Sequence, residues 1–130
     1  MLKRILILED DLEALSKIFE KLFRLEKRHS IDISVVILSE YTQAEKLNLS
    51  DEKFDLILLD RDCKAGGSFH ILDIKKFGAD KIIAISSVPD YNEKLFDQGI
   101  TKVVQKTYND LDDFAERLIK VIEKFFFTIR

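Results

Sequence analysis

The segment FDLILLDRDCKAGGSFH, Phe54 to His70, runs from an apolar stretch straight into Asp60, then through an arginine, a second aspartate and the chain's only cysteine. A second acidic group, Glu9, Asp10 and Asp11, follows the apolar stretch RILIL. Two more stretches end differently: KIIAIS ends on Ser86, next to Ser87, and TKVVQ leads into Lys106. Carboxylates gathered at one place repel. At ~4 Å in a partly polar site, each like-charge pair costs a few kcal/mol. A bound cation relieves that repulsion, and oxygen ligands with open water positions suit Mg²⁺. A carboxylate beside such a cation can attack phosphorus and form an acyl phosphate. The phosphoryl oxygens then need donors, for which a hydroxyl such as Ser86 and an ammonium such as Lys106 are suitable.

These residues meet only if the stretches that carry them lie side by side. The runs RILIL, ISVVIL, FDLILL, KIIAIS and TKVVQ are short and rich in Ile, Val and Leu, which suits strands. Most are apolar at consecutive positions, as in strands covered on both faces of a parallel sheet. Helical periodicity separates them. From Asp11 to about Arg28, the residues Leu12, Leu15, Ile18, Phe19, Leu22 and Phe23 recur at three- and four-residue steps. Asp10 or Asp11 is placed to cap that helix. Further helices are expected over Tyr41 to Leu47, from Ser68 to Phe77 before Gly78, through DYNEKLFDQG up to Gly99, and from Asp110 onward. The pattern predicts strand–helix alternation, a parallel sheet with helices on both faces. In such sheets the crevice lies beyond the carboxyl ends of the strands. That places Glu9, Asp10, Asp11, Asp60, Ser86 and Lys106 at one end, with Ser39 and Glu40 expected off the site.

Taken in order, ILILEDD, FDLILLD, IIAISS and GITKVVQK resemble the receiver domain of bacterial two-component response regulators, over essentially the whole chain. The resemblance implies a single receiver-like domain over 1–130. It implies a doubly wound five-stranded parallel sheet of flavodoxin-like (βα)5 type, strand order 2-1-3-4-5. Asp60 would accept a phosphoryl group from a histidine kinase or phosphotransfer protein in a Mg²⁺-dependent reaction. Asp10 and Asp11, or Glu9 and Asp10, would hold the metal, the first pair being favoured. Asp60 and the Asp62 backbone carbonyl would complete the metal site. Ser86 and Lys106 would contact the phosphoryl oxygens, Ser86 fitting the strand phase better than Ser87. The chain departs from the family pattern at three places. Thr107 stands where the family has a proline after the lysine, Val103 where it has a switching aromatic, and loop 61–67 reads RDCKAGG and lacks the usual Met-Pro.

Two other functions compete. LLDRD resembles the Asp-x-Asp motif of haloacid dehalogenase-type phosphatases, in which the second aspartate is the general acid. The departures also suit a degenerate receiver that binds a partner without phosphorylation. Cys63, His70 and Asp62 make a poor zinc set, and His29 reads as a cation at a helix C-terminus.

Bulk properties bound these readings. The chain has 130 residues, 46% hydrophobic and 35% charged, which suits one soluble globular domain. A net charge of -3 does not favour nucleic acid. One cysteine precludes an intrachain disulfide and fits a reducing cytoplasm. No apolar run approaches the length of a membrane span, and the N-terminal acids leave no room for a signal-peptide cleavage region. The apolar stripe of the last helix, with Phe125, Phe126 and Phe127, exceeds one face, so part of it is offered as a homodimer or partner surface.

Overall fold

The computed structural model describes residues 1–127. Its strands are β1 (Leu2–Leu8), β2 (Asp32–Leu38), β3 (Leu56–Leu59), β4 (Ile82–Ala84) and β5 (Lys102–Val103). They form one parallel sheet in the order β2-β1-β3-β4-β5. The helices are α1 (Leu12–His29), α2 (Tyr41–Asn48), α3 (Ile74–Phe77), α4 (Pro89–Glu93) and α5 (Leu111–Phe127). This is the α/β architecture that the alternating pattern predicts, with the strand order that the resemblance implies.

The period-two geometry of a strand divides its side chains between two cores. On one face Ile5, Ile7, Leu56, Leu58 and Ile83 pack against Leu15, Ile18 and Leu22 of α1 and Phe114, Leu118 and Ile122 of α5. On the other, Leu6, Leu8, Ile57, Leu59, Ile82 and Ala84 meet Ala44, Phe69, Phe77 and Leu95. Burial on both faces explains why the inner strands β1, β3 and β4 read as continuous apolar runs. Phe125, Phe126 and Phe127 are half-buried against the first core. Along their polar flanks α1 and α5 are joined by ion pairs, among them Lys17–Asp112 at 3.0 Å and Arg28–Glu123 at 2.9 Å, and by the contact of His29 Nε2 with Glu123 at 2.6 Å.

Two helices differ from the periodic expectation. The stretch from Ser68 to Phe77 is not continuous. A 3-10 turn over Phe69–Ile71 ends at Leu72, and α3 starts afresh at Ile74 with Asp73 as its cap. The break has a local cause. Asn48, at the end of α2, accepts from the Asp73 amide at 2.8 Å and donates to the Ile71 carbonyl at 2.9 Å. Those backbone groups are thereby satisfied outside a helical ladder. The DYNEKLFDQG stretch is helical only as far as Glu93, then tightens to a 3-10 turn over Lys94–Gln98. Gly99 closes it at φ 91°, a conformation that glycine adopts without a Cβ clash. Among the described residues no helix is long and apolar enough to cross a membrane.

Candidate functional site

Strand β1 delivers three acids in succession, and backbone geometry gives each a different task. Asp11 is extended, at φ -77° and ψ 113°, and its Oδ1 accepts from the amides of Glu13 (2.9 Å) and Ala14 (3.1 Å). It is the N-cap of α1 and satisfies two of the amides that a helix start leaves unpaired. Asp10 turns toward the loop after β3, where its Oδ2 accepts from the Lys64 amide at 2.6 Å. Glu9 points inward and is fully buried. Its Oε2 accepts from the Asp10 and Asp11 amides at 3.1 and 3.3 Å, and its Oε1 accepts from Lys106 Nζ.

Asp60 prolongs β3 by one residue, its amide donating to the Leu8 carbonyl at 3.0 Å. The side chain is nearly buried, and Oδ2 accepts from Lys106 Nζ at 3.1 Å. Lys106 lies just beyond β5 and is itself buried. Its amide donates to the Ser86 carbonyl at 3.3 Å, which ties the end of β5 to the end of β4. The ends of β1, β3 and β5 therefore converge on one ammonium shared by two carboxylates. Ser86 is buried at the adjoining end of β4, and its Oγ accepts from the Val88 amide at 3.1 Å. Ser87 is half-buried, and its carbonyl takes Gln105 Nε2 at 3.3 Å.

The electrostatics follow from burial. Burial, reinforced by the negative charge of Asp60, pushes the Glu9 carboxyl up to about 7 against the opposing pull of Lys106. Burial pulls the Lys106 ammonium down, but Glu9 and Asp60 outweigh it and the net shift is upward. Lys106 is thus charged at neutral pH, a buried cation sustained by its partners.

Four neighbours escaped the sequence reading. Buried Asn92 pins the Ser86 backbone, accepting from its amide at 3.1 Å and donating to its carbonyl at 3.0 Å. Tyr108 places its ring centroid 5.3 Å from Lys106 Nζ, and burial raises its phenol. Arg61 lies 4.0 Å over the Tyr91 ring. Glu9, by contrast, is a sequence candidate, less favoured than Asp11 for the metal. An acid directly after a buried strand was the available signal for Glu9. Asn92 and Tyr91 sat in a polar stretch with no periodic signature to single them out.

The loop after Asp60 turns back on itself. Asp62 bridges Ser68, the Cys63 amide donates to the Gly67 carbonyl at 3.3 Å, and the Phe69 amide donates to the Arg61 carbonyl at 2.8 Å. Gly67 has φ +87°, and a Cβ there would come within 2.3 Å of the Tyr41 ring. The Asp62 side chain is exposed and held by Arg61 Nη1 at 2.8 Å. Burial, with the charge of Arg61, lowers the His70 imidazole to about 4. Burial, with Asp10 nearby, raises the Cys63 thiol to about 11. Val103 is half-buried against the second core. No cis peptide bond occurs among the described residues, the bond to Thr107 included.

The donor set of the expected Mg²⁺ does not fit that ion as arranged. Asp11 caps α1 through Oδ1, Asp10 accepts from the Lys64 amide through Oδ2, and Glu9 and Asp60 share Lys106, while the Asp62 side chain, whose backbone carbonyl was the expected donor, pairs with Arg61. Among the described residues no group of three or more His, Cys, Asp or Glu side chains is disposed to hold a metal ion. Of the acids expected at the centre, the structure brings Asp60 together with Glu9 and Lys106. It sets Asp11 at the helix start and the Asp62 side chain outward.

No family model matches the chain, and no curated protein matches it in sequence. Solved structures do match. An adenylate cyclase from Rhodopirellula baltica aligns at 15% identity and a TM-score of 0.56, covering 95% of this chain and 91% of that one. A response regulator in red light signalling of R. palustris aligns at 16% identity and a TM-score of 0.56, covering 98% and 96%. Identities this low speak to fold alone. The chain has the flavodoxin-like fold, with strand order 2-1-3-4-5, that it shares with a response regulator.

Proposed function

We propose that the chain is a receiver-like signalling domain whose Asp60 accepts a phosphoryl group from a phosphohistidine on a histidine kinase or phosphotransfer protein. The observation that carries this is the contact of Asp60 with Lys106 across the ends of β3 and β5, beside Ser86 at the end of β4. A carboxylate oxygen of Asp60 attacks phosphorus, an O–P bond forms, and the P–N bond to the donor imidazole breaks. The bonding pair returns to the imidazole nitrogen, which takes a proton. Lys106 provides positive charge for the phosphoryl oxygens and Ser86 a hydroxyl. The response-regulator neighbour supports the fold on which this chemistry is set. Signalling would then pass through protein contacts, the last helix being one homodimer surface to test.

The degenerate-receiver alternative keeps one observation in its favour: Glu9 takes a share of Lys106 that a phosphoryl group would need. The phosphatase alternative loses ground because the Asp62 side chain, its general acid, is exposed and engaged by Arg61. The test is incubation with acetyl phosphate, with and without added Mg²⁺, followed by intact-mass measurement. The expected result is one added phosphoryl group on the parent and none on Asp60→Asn, since an amide is not a competent nucleophile at neutral pH. Equal labelling of the variant would overturn the assignment.

A further inference from the structure

The disagreement between the acids present and the metal expected has a physical source in Lys106. Its ammonium is buried and bonded to Glu9 Oε1 and Asp60 Oδ2, with the exposure of the Glu9 and Lys106 side chains at 1% each. Glu9 is held from behind as well: two amides fix its Oε2, so its Oε1 is presented to the crevice. Glutamate is one methylene longer than aspartate, and it ends one residue after β1 on the same level as Asp60. We propose that Lys106, held in place by Glu9, is the built-in cation of this site and occupies the position that a divalent metal would need. Glu9 is then a positioning residue, and the inference deepens the receiver reading by assigning how its acidic end is neutralised.

A divalent ion bound to the same two carboxylates would lie within ~4 Å of the ammonium, where like charges repel strongly in a partly buried site. Metal entry therefore requires Lys106 to leave Glu9. Its remaining neighbours are Asp60 and, at 5.3 Å, the Tyr108 ring. Metal and ammonium are alternatives here, and Glu9 decides between them.

The test uses Mg²⁺ or Mn²⁺ alone, without a phosphodonor, so failure of Asp60 labelling would leave its outcome legible. Calorimetric titration should show weak binding to the parent and roughly tenfold or tighter binding to Lys106→Met, in which the two carboxylates lose their internal cation. Glu9→Gln should not gain affinity, since it releases Lys106 but removes a carboxylate. Because Lys106→Met risks folding poorly, a second measurement uses the parent chain. The ¹⁵N-ammonium signal of Lys106 should be protected from exchange without metal, shift on Mg²⁺ titration, and be lost to fast exchange in Glu9→Gln. Equal Mg²⁺ affinity in parent and Lys106→Met overturns the proposal. So does a Lys106 signal unmoved at metal saturation, or one equally protected in Glu9→Gln.

Discussion

Two three-membered charge clusters in this molecule mirror each other. At the carboxyl ends of the strands, one cation, Lys106, serves two carboxylates, Glu9 and Asp60. On the α1–α5 flank, one carboxylate, Glu123, serves two basic side chains, Arg28 and His29. Contact distances are similar, but the side chains of Arg28, His29 and Glu123 are 50%, 27% and 32% exposed, against 1% for Lys106. The carboxyl shifts diverge accordingly. Burial raises Glu9 to about 7, whereas hydrogen bonds from His29 and Arg28 lower Glu123. The same functional groups shape the surface in one place and store chemical potential in the other. Water decides which, because a solvated pair gains little and a buried one must be matched within the protein.

The comparison is broken most severely at Lys106. Lys106→Met leaves two buried carboxylates without a counter-ion and should destabilise the fold by about 3–5 kcal/mol at pH 8. The loss should shrink at pH 5, where Glu9 takes up a proton. Urea denaturation at the two pH values checks this, and a loss independent of pH would contradict it.

Glu9→Gln tests the same cluster from its acidic side. The folded value of about 7 lies above the ordinary 4.5. Glu9 therefore contributes stability that is fully present below about 4.5 and lost as pH rises through 7. Replacing it with the neutral amide should flatten that fall, removing on the order of 3 kcal/mol of pH dependence. The readout is the urea midpoint across this range.

The smallest effect is expected on the flank. Glu123 is lowered, so its contribution is present above the ordinary value and lost as pH falls. Because the cluster is solvated, Glu123→Gln should change stability by about 1 kcal/mol or less, and added salt should diminish even that. A thermal melt in low and high salt decides it. An effect as large as that of Lys106→Met would erase the contrast.

The parallel sheet with helices on both faces was readable from the alternation of apolar runs and amphipathic stretches, whereas its strand order came from the resemblance. The positions of Asp60, Ser86 and Lys106 followed, since each lies within three residues of a strand's carboxyl end. What the sequence did not disclose was the partition of labour among Glu9, Asp10 and Asp11. Spacing cannot say which of three adjacent acids turns inward. That depends on where the last β1 residue pairs and on the helix start claiming Asp11 as its cap. The break at Leu72 and Asp73 was hidden for a related reason: it is made by Asn48, some two dozen residues earlier in the chain.

Chemical trapping of the modified residue tests the central claim most directly. After exposure to acetyl phosphate, borohydride reduction converts an acyl phosphate of aspartate to homoserine, and peptide mass mapping locates it. The account predicts homoserine at Asp60 and intact Glu9, Asp10, Asp11 and Asp62. Reduction at any of those four, or none at Asp60 in protein carrying a phosphoryl group, would contradict it.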